Sequence, residues 1–230
     1  NFRVNTNSKS SEWANIRISY DQGTLTECNR QATPLAQFDA WWQEITASDQ
    51  PEPNAMVLST VDADGQPSAR TVLLKGMDAA GFRFFTNFSS RKAQAMAANP
   101  QVALVFSWLV LQRQVIVLGT AEKLLAEESE VYFHSRPRDS QLAAWASHQS
   151  TPIDDRFILD QRMAELKQRW PEGTEIPFPT FWGGYLVRPN SVEFWQGRSS
   201  RLHDRLRFEA DGPHVSLGDM EAWKVVRYSP

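Results

Sequence analysis

QPSARTVLLKGMDAAGFRFFTNFSSRKAQAMAAN, residues 66–99, decides the fold. Arg70, Thr71, Val72, Leu73, Leu74 and Lys75 make a β-branched and apolar run between turn formers. Residues 82–86 make a second run after Gly81, and the two are expected to pair as an antiparallel hairpin. Ser89-Ser90-Arg91-Lys92 then leads an alanine-rich segment that stops at Asn99-Pro100, which reads as a helix with a Ser cap and a proline stop. Arg91 and Lys92 fall in its first turn, where the helix dipole disfavours cations unless an anion is also there. Two cations beside free backbone N–H groups make a phosphate cradle; two solvated surface charges are the other reading.

Upstream, residues 1–15 are a polar segment expected to be disordered, and residues 16–230 are expected to form one domain. Residues 16–20 are a short mixed segment carrying Arg17 and Tyr20. Leu35, Phe38, Trp41, Trp42 and Ile45 have helical spacing, so a helix docks an aromatic stripe on the core. Residues 55–61 read as a strand, and Asp62-Ala63-Asp64-Gly65 as the turn leading into the opening stretch. Downstream, residues 102–108 and 115–118 are strands joined through Gln112, Arg113 and Gln114. Residues 181–187 and 191–196 read as a further strand pair with Arg188-Pro189-Asn190 as its turn. So many short strands with tight connections imply a mainly β, antiparallel barrel or sandwich with flanking helices rather than a parallel βαβ sheet.

The flanking helices are expected at 126–135, ended by Pro137, then in a short element capped by Asp139 or Ser140. A longer amphipathic one is expected over 153–170, with Phe157, Ile158, Met163 and Leu166 inward. Tyr132 and Arg136 lie four apart and share a helix face. With Ser140 close by they form a second candidate anion site, unless Arg136 only stabilises its own helix end. In an extended chain Arg201, His203 and Arg205 project from one face, a cluster that is costly without a ligand or counter-ion. Among four histidines, His203 is the best candidate for chemistry, a purely structural role being the alternative.

A net charge of −3 over 230 residues leaves no general basic field, so nucleic acid is excluded as a partner and the cations must act locally. No apolar run approaches the roughly 20 residues of a membrane span, and no signal-peptide core is present. Cys28 is the single cysteine, which fits a reducing compartment and a cytoplasmic protein. No HExxH, HxxxH or CxxC spacing supports a metal site, and no GxGxxG or GxxxxGK[ST] supports nucleotide binding by those routes.

ARTVLLKG, FFTNFSSRKA, LQRQVIVLG, YFHSRPRDSQ, AWASHQS, FWGGY and EFWQGRSSRLHDR, in this order and spacing, resemble the pyridoxine (pyridoxamine) 5′-phosphate oxidase family from about Ile16 to the C-terminus. The resemblance implies an FMN-binding split β-barrel working as a homodimer, with each flavin at the subunit interface. It implies flavin contacts at Arg70, Thr71, Val72, Leu73, Leu74, Lys75, Phe85, Thr86, Arg91, Lys92, Gln114, Gln149, Ser150, Trp195 and Arg205, some supplied by the partner. Lys75, Tyr132, Arg136 and Ser140 would hold the substrate phosphate, and Arg201 and His203, the catalytic pair, would hold the pyridine ring against the flavin. Arg17 and Tyr20 match residues that close over the ligand. Arg70 and Lys75, five apart on a strand, should face different ligands. The activity implied is oxidation of pyridoxine or pyridoxamine 5′-phosphate to pyridoxal 5′-phosphate, with oxygen reduced to peroxide. A flavin oxidase of phenazine precursors on the same barrel, and a binding protein for FMN or pyridoxal phosphate without turnover, are the alternatives.

Overall fold

One long strand joins everything else. In the computed structural model, which describes residues 15–16 and 18–230, β7 (Trp182–Gln196) has three neighbours along its 15 residues. Its first half pairs with β4 (Gly81–Asn87), from Phe82↔Val187 to Asn87↔Trp182. On the other edge it runs beside β6 (Arg113–Lys123), from Arg113↔Gln196 to Lys123↔Tyr185. Its second half takes β8 (Asp204–Ala210) where β4 has ended. The arginine-proline-asparagine segment 188–190 therefore lies inside one continuous strand and is not a turn. The proline is accommodated because the register shifts between Leu118 and Gly119, and Gly119 faces Pro189 there. A Cβ on Gly119 would sit 2.2 Å from the Arg188 carbonyl oxygen, so only glycine fits this bulge.

The remaining strands, β1 (Ala55–Val61), β2 (Pro67–Leu73), β3 (Gly76–Asp78), β5 (Gln101–Trp108) and β9 (Trp223–Arg227), complete an antiparallel sheet curled into a half-barrel, in the order β2-β1-β5-β6-β7-β4-β3, with β8 on β7 and β9 on β8. β1 alternates buried and half-buried residues along its length and pairs with β2 and with β5. The hairpin expected between residues 70–75 and 82–86 is thus two hairpins: β2 returns on β1, and β4 is paired by the short β3. Leu74 and Lys75 are the bend between them, with a single Lys75 N–H to Arg83 carbonyl bond across it.

α1 (Pro34–Thr46) is capped by Thr33, whose hydroxyl accepts from the Ala36 amide, and lays Phe38, Trp41 and Ile45 on the sheet as its spacing requires. The Phe38 ring stands 5.2 to 5.5 Å from Phe106, Phe82 and Trp108, and replacing a ring so enclosed with alanine costs about 3–5 kcal/mol. A second apolar cluster, with Phe133, Leu142, Ile176 and Trp182 at its centre, lies under α3 (Ala126–Ser135) and α4 (Arg138–Ala146). α4 begins after Pro137 with no side-chain cap, so Asp139 and Ser140 are first-turn residues and not the cap. α5 (Phe157–Arg169) starts later than its pattern suggests, and Phe157 is 69% exposed rather than inward. None of the helices among the described residues is long and apolar enough to cross a membrane. The segment 1–14 expected to be disordered, and Arg17, lie outside the described residues.

Candidate functional site

β2, β4, α2 (Arg91–Ala98) and the α3–α4 junction enclose a cleft of about 660 Å³. Its walls include Arg70, Thr71, Val72, Leu73 and Lys75 from the β2 end, and Phe85 and Thr86 from β4. α2 supplies Lys92, the α3–α4 junction supplies Tyr132, Arg136 and Ser140, and Gln149 closes the ring. Twelve residues expected at a ligand from scattered sequence motifs thus meet in one place. Because β2 ends at Leu73, strand alternation does not run on to Lys75, and Arg70 and Lys75 line one cleft rather than opposite faces of a strand.

Two sets of cations line it. Ser90 caps α2, its hydroxyl accepting from the Ala93 amide, which fixes Lys92 in the first turn. Lys92 is 9% exposed, and its ammonium donates to Thr86 Oγ1 at 3.1 Å, Gln149 Oε1 at 3.0 Å and Ser90 Oγ at 3.4 Å. All three are neutral. Burial, and then repulsion from Arg70, brings its pKa down to about 8. Arg70 is itself lowered by burial and then by Arg91, and among the described residues its guanidinium meets only the Leu58 carbonyl and the Thr60 and Ser68 hydroxyls. Lys92 and Arg70, mutually repelling cations whose partners are all neutral, are an arrangement that an anion completes.

The second set stands on aromatic rings. The Phe85 ring lies 3.8 Å from Tyr132 and 5.4 Å from Trp182, both nearly parallel to it. The Arg136 guanidinium sits 4.6 Å over Trp182. Arg136 Nη2 donates to the Ser140 carbonyl at 2.8 Å, while Nη1 is buried with no partner among the described residues. An orphaned buried donor of this kind costs about 1–3 kcal/mol unless a ligand oxygen meets it. Burial raises the Tyr132 phenol, with Arg136 offsetting part of the rise, and lowers the Arg136 guanidinium. Arg136 is not on the α3 face with Tyr132 as expected, since the helix ends at Ser135 and Arg136 is extended; the chain reversal at Pro137 brings the pair together.

Several expected residues lie elsewhere. Leu74 is 8% exposed and belongs to the core, lining a separate hollow with Phe38, Trp42 and Met77. The Arg91 side chain is 63% exposed and turns toward Asp62 at 3.9 Å, while its amide donates to Ser150 Oγ at 3.2 Å. Gln114 and Trp195 face each other across β6 and β7, and with Tyr20 they line a different hollow of about 390 Å³. His203 is beside them, 4.6 Å from Trp195 and 5.8 Å from Tyr20. Arg201, His203 and Arg205 do not form one extended face. Residues Ser199–Arg201 are a helical turn in which Ser200 and Arg201 have φ of 57° and 62°. Arg205 is turned back on Glu193, bonding it at 2.9 and 3.2 Å.

Two residues at these sites gave no distinctive sequence signal. Trp182 looks like any core aromatic ahead of Gly183-Gly184, yet it carries Arg136. Glu193 looks like a solvated strand charge, yet it is 3% exposed and holds both Arg205 and Arg207. Burial alone would raise its carboxyl; the hydrogen bonds from the two arginines outweigh that and hold it below the usual carboxylate value. No cluster of potential metal ligands occurs among the described residues.

A family model described as pyridoxamine 5′-phosphate oxidase matches residues 42–170, and one described as the pyridoxine 5′-phosphate oxidase C-terminal dimerisation region matches residues 182–230. The pyridoxine/pyridoxamine 5′-phosphate oxidase of Thermobifida fusca is 51% identical over 221 residues, 96% of this chain and 99% of that one. The enzyme of the same name from Cupriavidus pinatubonensis is 51% identical over 219 residues, 94% and 98% of the two chains. Among solved structures, PhzG from Burkholderia lata 383 in complex with tetrahydrophenazine-1-carboxylic acid superposes with a TM-score of 0.81 at 28% identity, covering 93% of this chain and 100% of that one. A pyridoxamine 5′-phosphate oxidase-related, FMN-binding protein from Nostoc punctiforme superposes with a TM-score of 0.65 over 90% of this chain and 98% of its own, and at 14% identity it speaks to the fold alone.

Proposed function

The chain belongs to the pyridoxamine 5′-phosphate oxidase family, and from that premise we propose that it oxidises pyridoxine 5′-phosphate and pyridoxamine 5′-phosphate to pyridoxal 5′-phosphate, using FMN and passing the electrons to oxygen. The observation that carries this reading is the pair of unmatched cationic sets in one cleft, Lys92 with Arg70 and Arg136 with Tyr132. One set suits the cofactor phosphate and the other the substrate phosphate.

The residues present fit FMN: a buried ammonium short of a counter-charge, a capped helix start and the flat Phe85 ring beside it. FMN, when bound, supplies the hydride acceptor and the route to oxygen. Lys92 and Arg70 neutralise its phosphate, and Thr86 and Gln149 hold the Lys92 ammonium in place. Arg136 Nη1, fixed by the Ser140 carbonyl and the Trp182 face, takes a substrate phosphate oxygen together with Tyr132, Ser140 and Lys75. That anchoring is remote from the reacting carbon, so its binding energy is available to fix the geometry of hydride transfer.

The protein acts as a homodimer, a reading supported by the match of residues 182–230 to a dimerisation region. Tyr20, Gln114, Trp195, Arg201, His203 and Arg205, which do not line the main cleft of their own chain, then complete the cleft of the partner. Exposed Cys28, with no disulfide, suits a cytoplasmic location.

The test is oxygen consumption and peroxide release by the purified protein with pyridoxamine 5′-phosphate, pyridoxine 5′-phosphate and a dihydrophenazine carboxylic acid. Turnover of the two phosphates over the phenazine compound is expected. The reverse preference would favour the second reading, a phenazine-type oxidase, which the 0.81 TM-score to PhzG motivates. Flavin binding without oxygen consumption would leave only a binding protein.

A further inference from the structure

Between β7 and β8 the chain turns through residues 197–203, and two consecutive non-glycine residues, Ser200 and Arg201, adopt the left-handed conformation. Residues that L-amino acids rarely place there persist only when the surroundings over-determine them. Here the ties are specific. The Gly197 amide donates to the Gln112 carbonyl at 2.7 Å, and the Leu202 amide to the Ser199 carbonyl at 3.2 Å. The Arg198 amide donates to His203 Nδ1 at 3.0 Å, and the Arg198 guanidinium to Asp204 Oδ2 at 3.0 Å. Asp204, with its side chain 14% exposed, also accepts from the Leu25 amide at 3.0 Å and from Arg227 Nη1 at 3.0 Å.

The bond to Nδ1 fixes chemistry as well as position. A nitrogen that accepts from a backbone N–H carries no proton, so the neutral imidazole has its proton on Nε2. A proton added to Nδ1 would set two donors against each other. The ring also packs beside Trp195 and Tyr20, 4.6 and 5.8 Å away.

We propose that His203 serves as a fixed hydrogen-bond donor through Nε2–H, not as a proton acceptor, and that Asp204 is the positioning residue that keeps it so by anchoring Arg198. The proposal rests on the functional reading above for what the donor meets, an acceptor atom on the bound substrate, but the tautomer itself is independent of it. His203 then orients substrate, and no proton passes to it during turnover.

The test is a long-range ¹H–¹⁵N correlation spectrum of the full-length protein labelled with ¹⁵N-histidine, with the His203 signals assigned by their loss in H203N. A pyridine-type Nδ1 and a pyrrole-type Nε2 at neutral pH are expected. A pyrrole-type Nδ1 would overturn the donor assignment. In R198A and D204N the signature should move toward averaged tautomers while the fold, read by circular dichroism, is retained; an unchanged tautomer in both would remove Asp204 as the positioning residue. In steady-state assays H203Q, whose amide nitrogen reaches the Nε2 position, should keep about tenfold more kcat/KM than H203N, the worth of one hydrogen bond; the opposite order would overturn the proposal. Wild-type protein with the expected tautomer and no turnover of either vitamin B6 phosphate would sink the functional reading and leave the tautomer standing.

Discussion

The cleft and the β7–β8 corner hold their cations in opposite ways. In the cleft Lys92, Arg70 and Arg136 meet hydroxyls, amides, carbonyls and ring faces, and Arg136 Nη1 meets nothing among the described residues. At the corner four guanidiniums have carboxylates: Arg205 and Arg207 share Glu193, and Arg198 and Arg227 share Asp204. Matched charge builds a frame, and unmatched charge marks where something else is to bind. Substitutions in the two regions should therefore fail differently.

The largest effect on stability is expected at the corner. Glu193→Ala leaves two arginines, each over a quarter exposed, without their carboxylate and should cost about 1.5–3 kcal/mol, read by urea denaturation. A loss below about 1 kcal/mol would mean that the pairing is not structural. Arg136→Ala in the cleft should leave stability within about 1 kcal/mol of wild type, since it removes an orphaned donor. It should raise KM for phosphorylated substrates by about 10- to 100-fold, the loss of a charge-assisted hydrogen bond. An unchanged KM would take Arg136 out of the substrate site.

Lys92 sharpens the contrast through pH. Its folded-state value, about 8, lies below the ordinary 10.5, so protonating it opposes folding. The ligand-free protein should carry the full penalty below about pH 8 and shed it as pH rises toward 10.5. A bound phosphate reverses the preference. FMN affinity should be level between about pH 7 and 8, where the phosphate is already dianionic, and fall above it by up to tenfold per pH unit, followed by flavin fluorescence quenching. Affinity that is level through pH 9 would place the phosphate away from Lys92. The smallest effect is expected for Arg91→Ala: an exposed side chain 3.9 Å from Asp62 contributes at most about 1 kcal/mol to stability, measured in the same urea titration.

How much of this was legible in sequence depended on whether the deciding contact was local. α1 and α2 follow from their own spacing and caps, and β1 from its alternation. The partner of β2 did not follow, because a strand's pattern says which face is buried and not which neighbour it takes. The continuity of β7 through Pro189 depends on Gly119 in another strand, 70 residues upstream in the pairing register. At the site the motifs singled out Lys92, Tyr132, Arg136 and Gln149, which the fold brings to one cleft, because polar side chains stand out against an apolar background. Trp182 and Glu193 were invisible for the converse reason: one resembles core and the other resembles surface, and only the fold shows what each supports. The left-handed turn at Ser200 and Arg201 likewise defeats any argument from strand periodicity.

The most direct measurement is the visible spectrum of the purified protein before and after anaerobic addition of pyridoxamine 5′-phosphate. A flavin band that bleaches with about one equivalent of substrate per subunit and returns on admitting air is the expected result. A colourless protein that takes up no FMN, or a yellow one that stays yellow with substrate, would contradict the assignment of the two cationic sets to a flavin and a phosphorylated substrate.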